Sequence, residues 1–309
     1  MPRRGTGPSS GARGTGGAGD LLHTLGDLTG RILEGIKLQQ ARVELAAALQ
    51  RQVLAAELPV LDGLRAAGRY APARAGLDIG GDWYDGFPMP DGSVGFVIGD
   101  VQGHDVEAAA LMGQVRICLR AVATATTDPA EVLGRTNDLL VSMNSGLFVT
   151  CSFLRFDPVT SELADARAGH VPAVWATADG RVDVLLNEGG LPLGIQAGER
   201  YPSTRRLLTD VGAFVLLTDG VVEGPGYPLD EGLAQVAELA VGACRSDPDE
   251  LAARVIKVAD LTGHSDDAAV LVLRYGGLQQ QRQGDQQQRQ GDQRQRQGDQ
   301  RQQQRQGEG

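Results

Sequence analysis

Apolar and polar positions divide the chain into segments of different period. Across residues 21–58, Leu25, Ile32, Ile36, Val43, Ala46 and Val53 recur at steps of three, four and seven, which places them near one face of a helix. The run RVELAAALQRQVLAAEL is built from strong helix formers, Gly26, Gly30 and Gly35 weaken the turns before it, and Pro59 ends it. Gln39 and Gln50 interrupt the apolar stripe, so two readings stand: a helix packed on its own domain, or one that pairs with a second copy. From about residue 68 to 275 the pattern changes to strands and long helices. Buried strands are expected at 93–99 (SVGFVIG), 213–218 (AFVLLT) and 268–274 (AAVLVLR). Hairpins are expected from 147–156 with 161–168 around Asp157-Pro158, and from 173–178 with 182–186 at Asp179-Gly180. Helices are expected at 105–126, at 129–143 after Asp128-Pro129, at 230–243 and at 248–261. Runs of adjacent strands broken by helix pairs argue against a doubly wound parallel sheet and for antiparallel sheets covered by helices, an α+β architecture.

Composition changes the picture at both ends. Residues 1–20 are rich in Gly, Ser and Arg, and 276–309 form a Gln/Arg/Gly/Asp tail in which Gly-Asp recurs every seven residues without an apolar seam; both are expected to be disordered. Arg3 and Arg4 have no apolar stretch behind them, so no signal peptide is read, and no run is long enough to span a bilayer. The three cysteines, Cys118, Cys151 and Cys244, lie in apolar stretches without metal-ligand spacing and fit reduced core residues of a cytoplasmic protein. Acidic residues exceed basic ones, 39 against 29, for a formal charge of −10. That bias is opposite to the one that drives duplex nucleic-acid binding, so neither a nucleic acid nor a membrane is an expected partner.

The aspartates carry the chemical signal. Asp100 follows SVGFVIG directly, Asp219 follows AFVLLT directly, and Asp266 and Asp267 directly precede AAVLVLR, while Asp82 and Asp85 stand in IGGDWYDGF. With the last strand antiparallel to the other two, these carboxylates reach one sheet edge. Two unit charges 4 Å apart repel by about 4 kcal/mol at an effective dielectric near 20, so either their pKa values rise or a cation sits among them. An oxygen-only ligand set favours Mg²⁺ or Mn²⁺. Gly80, Gly81, Gly99, Gly103 and Gly220 would let backbone approach closely.

Gly80-Gly81-Asp82-Trp83-Tyr84-Asp85, Gly99-Asp100-Val101-Gln102-Gly103-His104, Ala168-Gly169-His170-Val171-Pro172, Thr218-Asp219-Gly220-Val221-Val222-Glu223 and Asp266-Asp267 together resemble the metal-dependent (PPM, type 2C-like) protein phosphatases, in their bacterial SpoIIE and RsbU branch. The likeness runs over about 57–275. It implies an α-β-β-α sandwich of two antiparallel sheets over 59–275, with two Mn²⁺ or Mg²⁺ ions between the sheet edges and 21–58 as a helical lead-in, a possible dimerisation element. It implies Asp82, Asp100, Asp219 and Asp266 as ligands, Asp100 as the bridge between metals, and the Val101 carbonyl as a further ligand. The chemistry implied is attack by metal-bound hydroxide on phosphoserine or phosphothreonine, with no covalent phosphoenzyme. The partner implied is a phosphorylated STAS-domain anti-anti-sigma factor in a partner-switching stress or developmental pathway.

Asp85 is expected either to support the ligands from behind or to be structural, and Asp267 to support Asp266. His104 is read either as a proton donor to the leaving group or as a turn residue, His170 as structural, and Arg74 as a loop residue or a phosphate contact. Asp105 stands where the family often has Gly, and either strains a positive-φ position or caps the following helix. Two other functions stay open: a regulator that keeps the fold and binds a phosphoprotein without turnover, and a hydrolase of small phosphate esters. The first would show no turnover with any metal; the second would favour small esters over phosphoproteins.

Overall fold

A computed structural model describes residues 28–35, 37, 57–61, 63–72, 80–103, 105–263 and 266–276. The chain divides into two units, 1–45 and 46–309. In the first, residues 28–35 form helix α1, which carries Leu28, Ile32 and Leu33 exposed. The helix expected over 21–58 is thus seen at 28–35 and at residue 37, and Glu57 and Leu58 at its expected end are not helical. Residues 38–56, both low-complexity termini and the rest of the proposed pairing face (Leu25, Ile36, Val43, Ala46 and Val53) lie outside the described residues. Among the described residues no helix is long and apolar enough to cross a membrane.

The described residues of the second unit form ten strands. One sheet has the order β1(Leu64–Ala71)-β10(Ala268–Tyr275)-β9(Gly212–Leu217)-β6(Val174–Thr177)-β7(Val182–Val184). The other has the order β2(Trp83–Pro88)-β3(Val94–Val101)-β4(Val149–Asp157)-β5(Glu162–Ala168)-β8(Ser203–Leu207). Every neighbouring pair is antiparallel. Helices α2(Val106–Val122) and α3(Pro129–Met143) cover the outer face of the second sheet. The short α4(Asp219–Val222), α5(Leu229–Ala243), α6(Pro248–Val255), a single 3-10 turn and α7(Ala259–Thr262) cover that of the first.

The layering explains why the central strands read as continuous apolar runs. In β3, Phe96 and Ile98 point between the sheets while Val97 and Val101 meet α2 and α3. In β10, Leu271 and Leu273 point between the sheets while Val270 and Val272 meet α5 and α6. With both faces covered, each position is apolar, and each large side chain removed from water contributes about 1.5–3 kcal/mol. Helix ends follow local chemistry. Asp128 caps α3 through Ala130 N with Pro129 at its first position, and Asn144 closes it in the left-handed region at φ 50°. Asp247 and Pro248 repeat that start at α6.

Three strands were not expected from the sequence. β1 is Ala-rich and lies at a sheet edge, β2 contains Gly86 and Pro88, and β8 is a short edge strand whose residues alternate between exposed and half-buried. The expectation of one sheet edge also needs correction, since the aspartates belong to two sheets.

Candidate metal centre

Each sheet delivers its carboxylates through a pair of antiparallel neighbours. Asp82 immediately precedes β2, whose Trp83 lies opposite Gly99 of β3, so Asp82 and Asp100 end up side by side. In the other sheet β9 leads into Thr218 and Asp219, and β10 begins immediately after Asp266 and Asp267, with Val270 opposite Leu217. A hydroxyl ties the two halves: Thr218 Oγ1 donates to Asp82 Oδ2 at 2.6 Å and accepts from Ala269 N at 2.9 Å. Two glycines set how closely the backbones meet. A Cβ on Gly81 would lie 2.2 Å from the Val101 carbonyl oxygen, and one on Gly220 would lie 1.9 Å from that of Asp267. Those contacts are open only to a residue without a side chain. Asp219 Oδ1 accepts from Gly220 N at 2.8 Å, and Asp266 Oδ1 accepts from Asp267 N at 2.9 Å.

The carboxyl groups act on one another electrostatically. Burial, followed by the charge of Asp100, pushes the Asp82 carboxyl well above its usual range, against the hydrogen bond from Thr218. Burial, followed by the charge of Asp219, raises Asp100 to about 7, with Asp266 and Asp267 adding to the effect. Asp219 is raised by burial and then by Asp266. Carboxylates that hold protons this tightly are ones a nearby cation would relieve.

The donor set is all oxygen and suits a hard divalent ion. The side chains alone do not finish a ligand shell: among the described residues no group of three or more Asp, Glu, His or Cys side chains stands close enough to hold one ion. The fit therefore rests on the carboxylate pairs together with the Val101 carbonyl oxygen beside Gly81. Asp266 is exposed at this edge, whereas Asp267 is buried beneath it, between Gly80 and Gly220.

The other sequence candidates separate clearly. Asp85 turns to α2, where Arg120 grips it with Nε and Nη2 at 2.8 and 2.7 Å and Arg116 Nη2 adds a contact at 3.3 Å; it pins β2 to the helix. Asp105 has extended backbone at φ −120° and caps α2 by accepting from Ala108 N at 2.9 Å, while the positive φ in this loop belongs to Gly103. The substitution therefore carries no backbone strain, and the one feature that favoured an inactive regulator becomes a helix cap. His170 is buried in the link between the sheets. His104 and Arg74 lie outside the described residues. Sequence reasoning missed Thr218; the signal was a hydroxyl at the end of an otherwise apolar strand, directly before Asp219.

Comparison with known proteins points the same way. The family model for stage II sporulation protein E (SpoIIE) matches residues 90–276, more than half of the chain. Phosphoserine phosphatase RsbU of Bacillus subtilis is 25% identical over 193 residues, covering 62% of this chain and 56% of RsbU. The chain thus spans little more than half the length of that relative. The RsbU and RsbW domains of Rv1364c from Mycobacterium tuberculosis are similar with a TM-score of 0.64 at 32% identity, over 71% of this chain and 61% of that one. The SiaA-PP2C domain of Pseudomonas aeruginosa has the same fold, with a TM-score of 0.64 at 20% identity over 79% of this chain and 98% of that one. With two antiparallel sheets, flanking helix pairs and aspartates at the facing strand ends, the chain belongs to the SpoIIE family.

Proposed function

We propose that this chain is a metal-dependent protein serine/threonine phosphatase. The observation that carries the reading is the meeting of Asp82 and Asp100 from one sheet with Asp219 and Asp266 from the other, in a field that raises their proton affinity. Further support comes from the similarity to RsbU, a phosphoserine phosphatase. Asp82, Asp100, Asp219, Asp266 and the Val101 carbonyl would hold two Mn²⁺ or Mg²⁺ ions. Such ions, when bound, neutralise phosphoryl oxygens and acidify a water. The chain's own residues position that chemistry. Thr218 fixes one oxygen of Asp82 and so orients that carboxylate. Gly81 and Gly220 keep the backbone close to the edge. The substrate is a phosphoserine or phosphothreonine on a partner protein. A STAS-domain anti-anti-sigma factor is the proposed partner, in keeping with the family resemblance.

The test is hydrolysis of para-nitrophenyl phosphate and of a phosphorylated STAS protein with Mn²⁺, Mg²⁺ or EDTA, for the wild type and Asp219→Ala. Metal-dependent turnover that is lost in the variant supports the reading. Absence of turnover on both substrates with every metal overturns it.

A further inference from the structure

Two sheets that each carry half of a site need something to fix their separation, and the motif Ala168-Gly169-His170-Val171-Pro172 lies in the link that crosses between them, after β5 of one sheet and before β6 of the other. We propose that His170 is a positioning residue for the carboxylate edge: its buried ring, presented by the link between the sheets, holds Thr150 of β4 and so keeps the neighbouring Asp100 in place. This rests on the metal-dependent reading above.

The contact is specific. His170 is 2% exposed, and its ring Nδ1 lies 2.9 Å from Thr150 Oγ1. Thr150 is the residue of β4 directly opposite Asp100 of β3. One buried ring, presented by the link that crosses between the sheets, thus fixes the residue beside Asp100.

The link is itself held in place. Arg167 Nη1 donates to the His170 carbonyl at 2.8 Å while its Nη2 donates to the Asn187 carbonyl at 2.5 Å. Gly169 takes φ +63°, and a Cβ there would lie 2.5 Å from the ring of Pro192, so the turn presenting His170 needs glycine at this position. Burial, followed by the neighbouring Arg167 charge, pulls the His170 pKa down to about 3. The ring therefore stays neutral near pH 7, and its place is structural in the service of the site, without proton transfer.

The experiment measures Mn²⁺ affinity by calorimetry, with turnover of para-nitrophenyl phosphate beside it, on the full chain. The variants are His170→Leu, His170→Asn, Thr150→Val and the double variant His170→Leu/Thr150→Val. Leucine keeps bulk and removes the hydrogen bond, whereas the asparagine amide can occupy the place of Nδ1. Loss of one buried hydrogen bond that fixes geometry predicts Mn²⁺ affinity reduced about tenfold in His170→Leu and Thr150→Val. KM for the ester at saturating Mn²⁺ should be unchanged, most of the affinity should return in His170→Asn, and the double variant should show no further loss. Wild-type Mn²⁺ affinity in folded His170→Leu or in Thr150→Val overturns the inference and leaves the phosphatase reading intact, as does a purely additive double variant. A wild-type chain that neither binds Mn²⁺ nor turns over substrate overturns both.

Discussion

Replacing Thr218 by valine removes one oxygen at nearly constant volume and tests whether the two sheets are tied at the carboxylate edge. The hydroxyl is fully buried, and it serves Asp82 Oδ2 and the Ala269 N–H together. A buried polar group left without its partner costs about 1–3 kcal/mol. Two such groups predict a loss of roughly 2–6 kcal/mol in unfolding free energy. At a urea slope of about 2–3 kcal/mol/M this moves the midpoint by roughly 1 M or more. Because the hydroxyl's hydrogen bond opposes the rise in the Asp82 pKa, its removal raises that proton affinity further. Mn²⁺ must displace the proton, so Mn²⁺ binding should weaken and become steeper with pH. Urea titrations with and without Mn²⁺, alongside Thr218→Ser, make the comparison. Serine keeps the oxygen and should stay within about 1 kcal/mol of wild type. A valine variant with wild-type midpoint and wild-type Mn²⁺ affinity would refute the reasoning.

Three further outcomes are expected. The folded pKa of Asp100, about 7, exceeds its ordinary unfolded value near 4, so its contribution to the stability of the metal-free protein is present in full below about pH 4 and is lost as pH rises through 7. Thermal unfolding in EDTA should therefore show a higher midpoint at pH 5 than at pH 8, with the order reversed at saturating Mn²⁺; a metal-free midpoint that rises over this range contradicts the assignment. Gly220→Ala sets a Cβ against the Asp267 backbone and displaces the start of β10, so turnover should fall about 100-fold or more; near-normal kcat would show that the edge tolerates the shift. Asp85→Ala strands Arg116, which is almost buried, and should cost about 3 kcal/mol in chemical denaturation, while the folded variant keeps its Mn²⁺ affinity; loss of that affinity would make Asp85 part of the centre.

How much could be read in advance follows from what each segment packs against. Strands β3, β9 and β10 were legible because burial on both faces leaves an apolar run that no surface helix would show. Helices α2, α3 and α6 were legible from their capping aspartates, and the two latter also from the proline after the cap. Strands β1 and β8 were not, because an edge strand is stabilised by backbone pairing that asks little of its side chains, and Leu-Arg-Ala-Ala reads equally well as helix. The strand-end aspartates were visible one at a time. Their division between two sheets was not, since Asp82 and Asp219 meet only through a fold that joins distant parts of the chain. Thr218 escaped notice because a lone threonine gains meaning only from a neighbour 136 residues away.

The position of β10 bears on how the molecule is made. Among the described residues it is the last strand, yet it sits inside its sheet between β1, the first of them, and β9. During synthesis β1 has no partner among the described strands until β10 leaves the ribosome, and until then it stays apart from β9, β6 and β7. Such wide sequence separation slows folding. The same arrangement keeps Asp266 out of reach of the other aspartates until β10 is seated, so a partly made chain would lack the complete carboxylate edge.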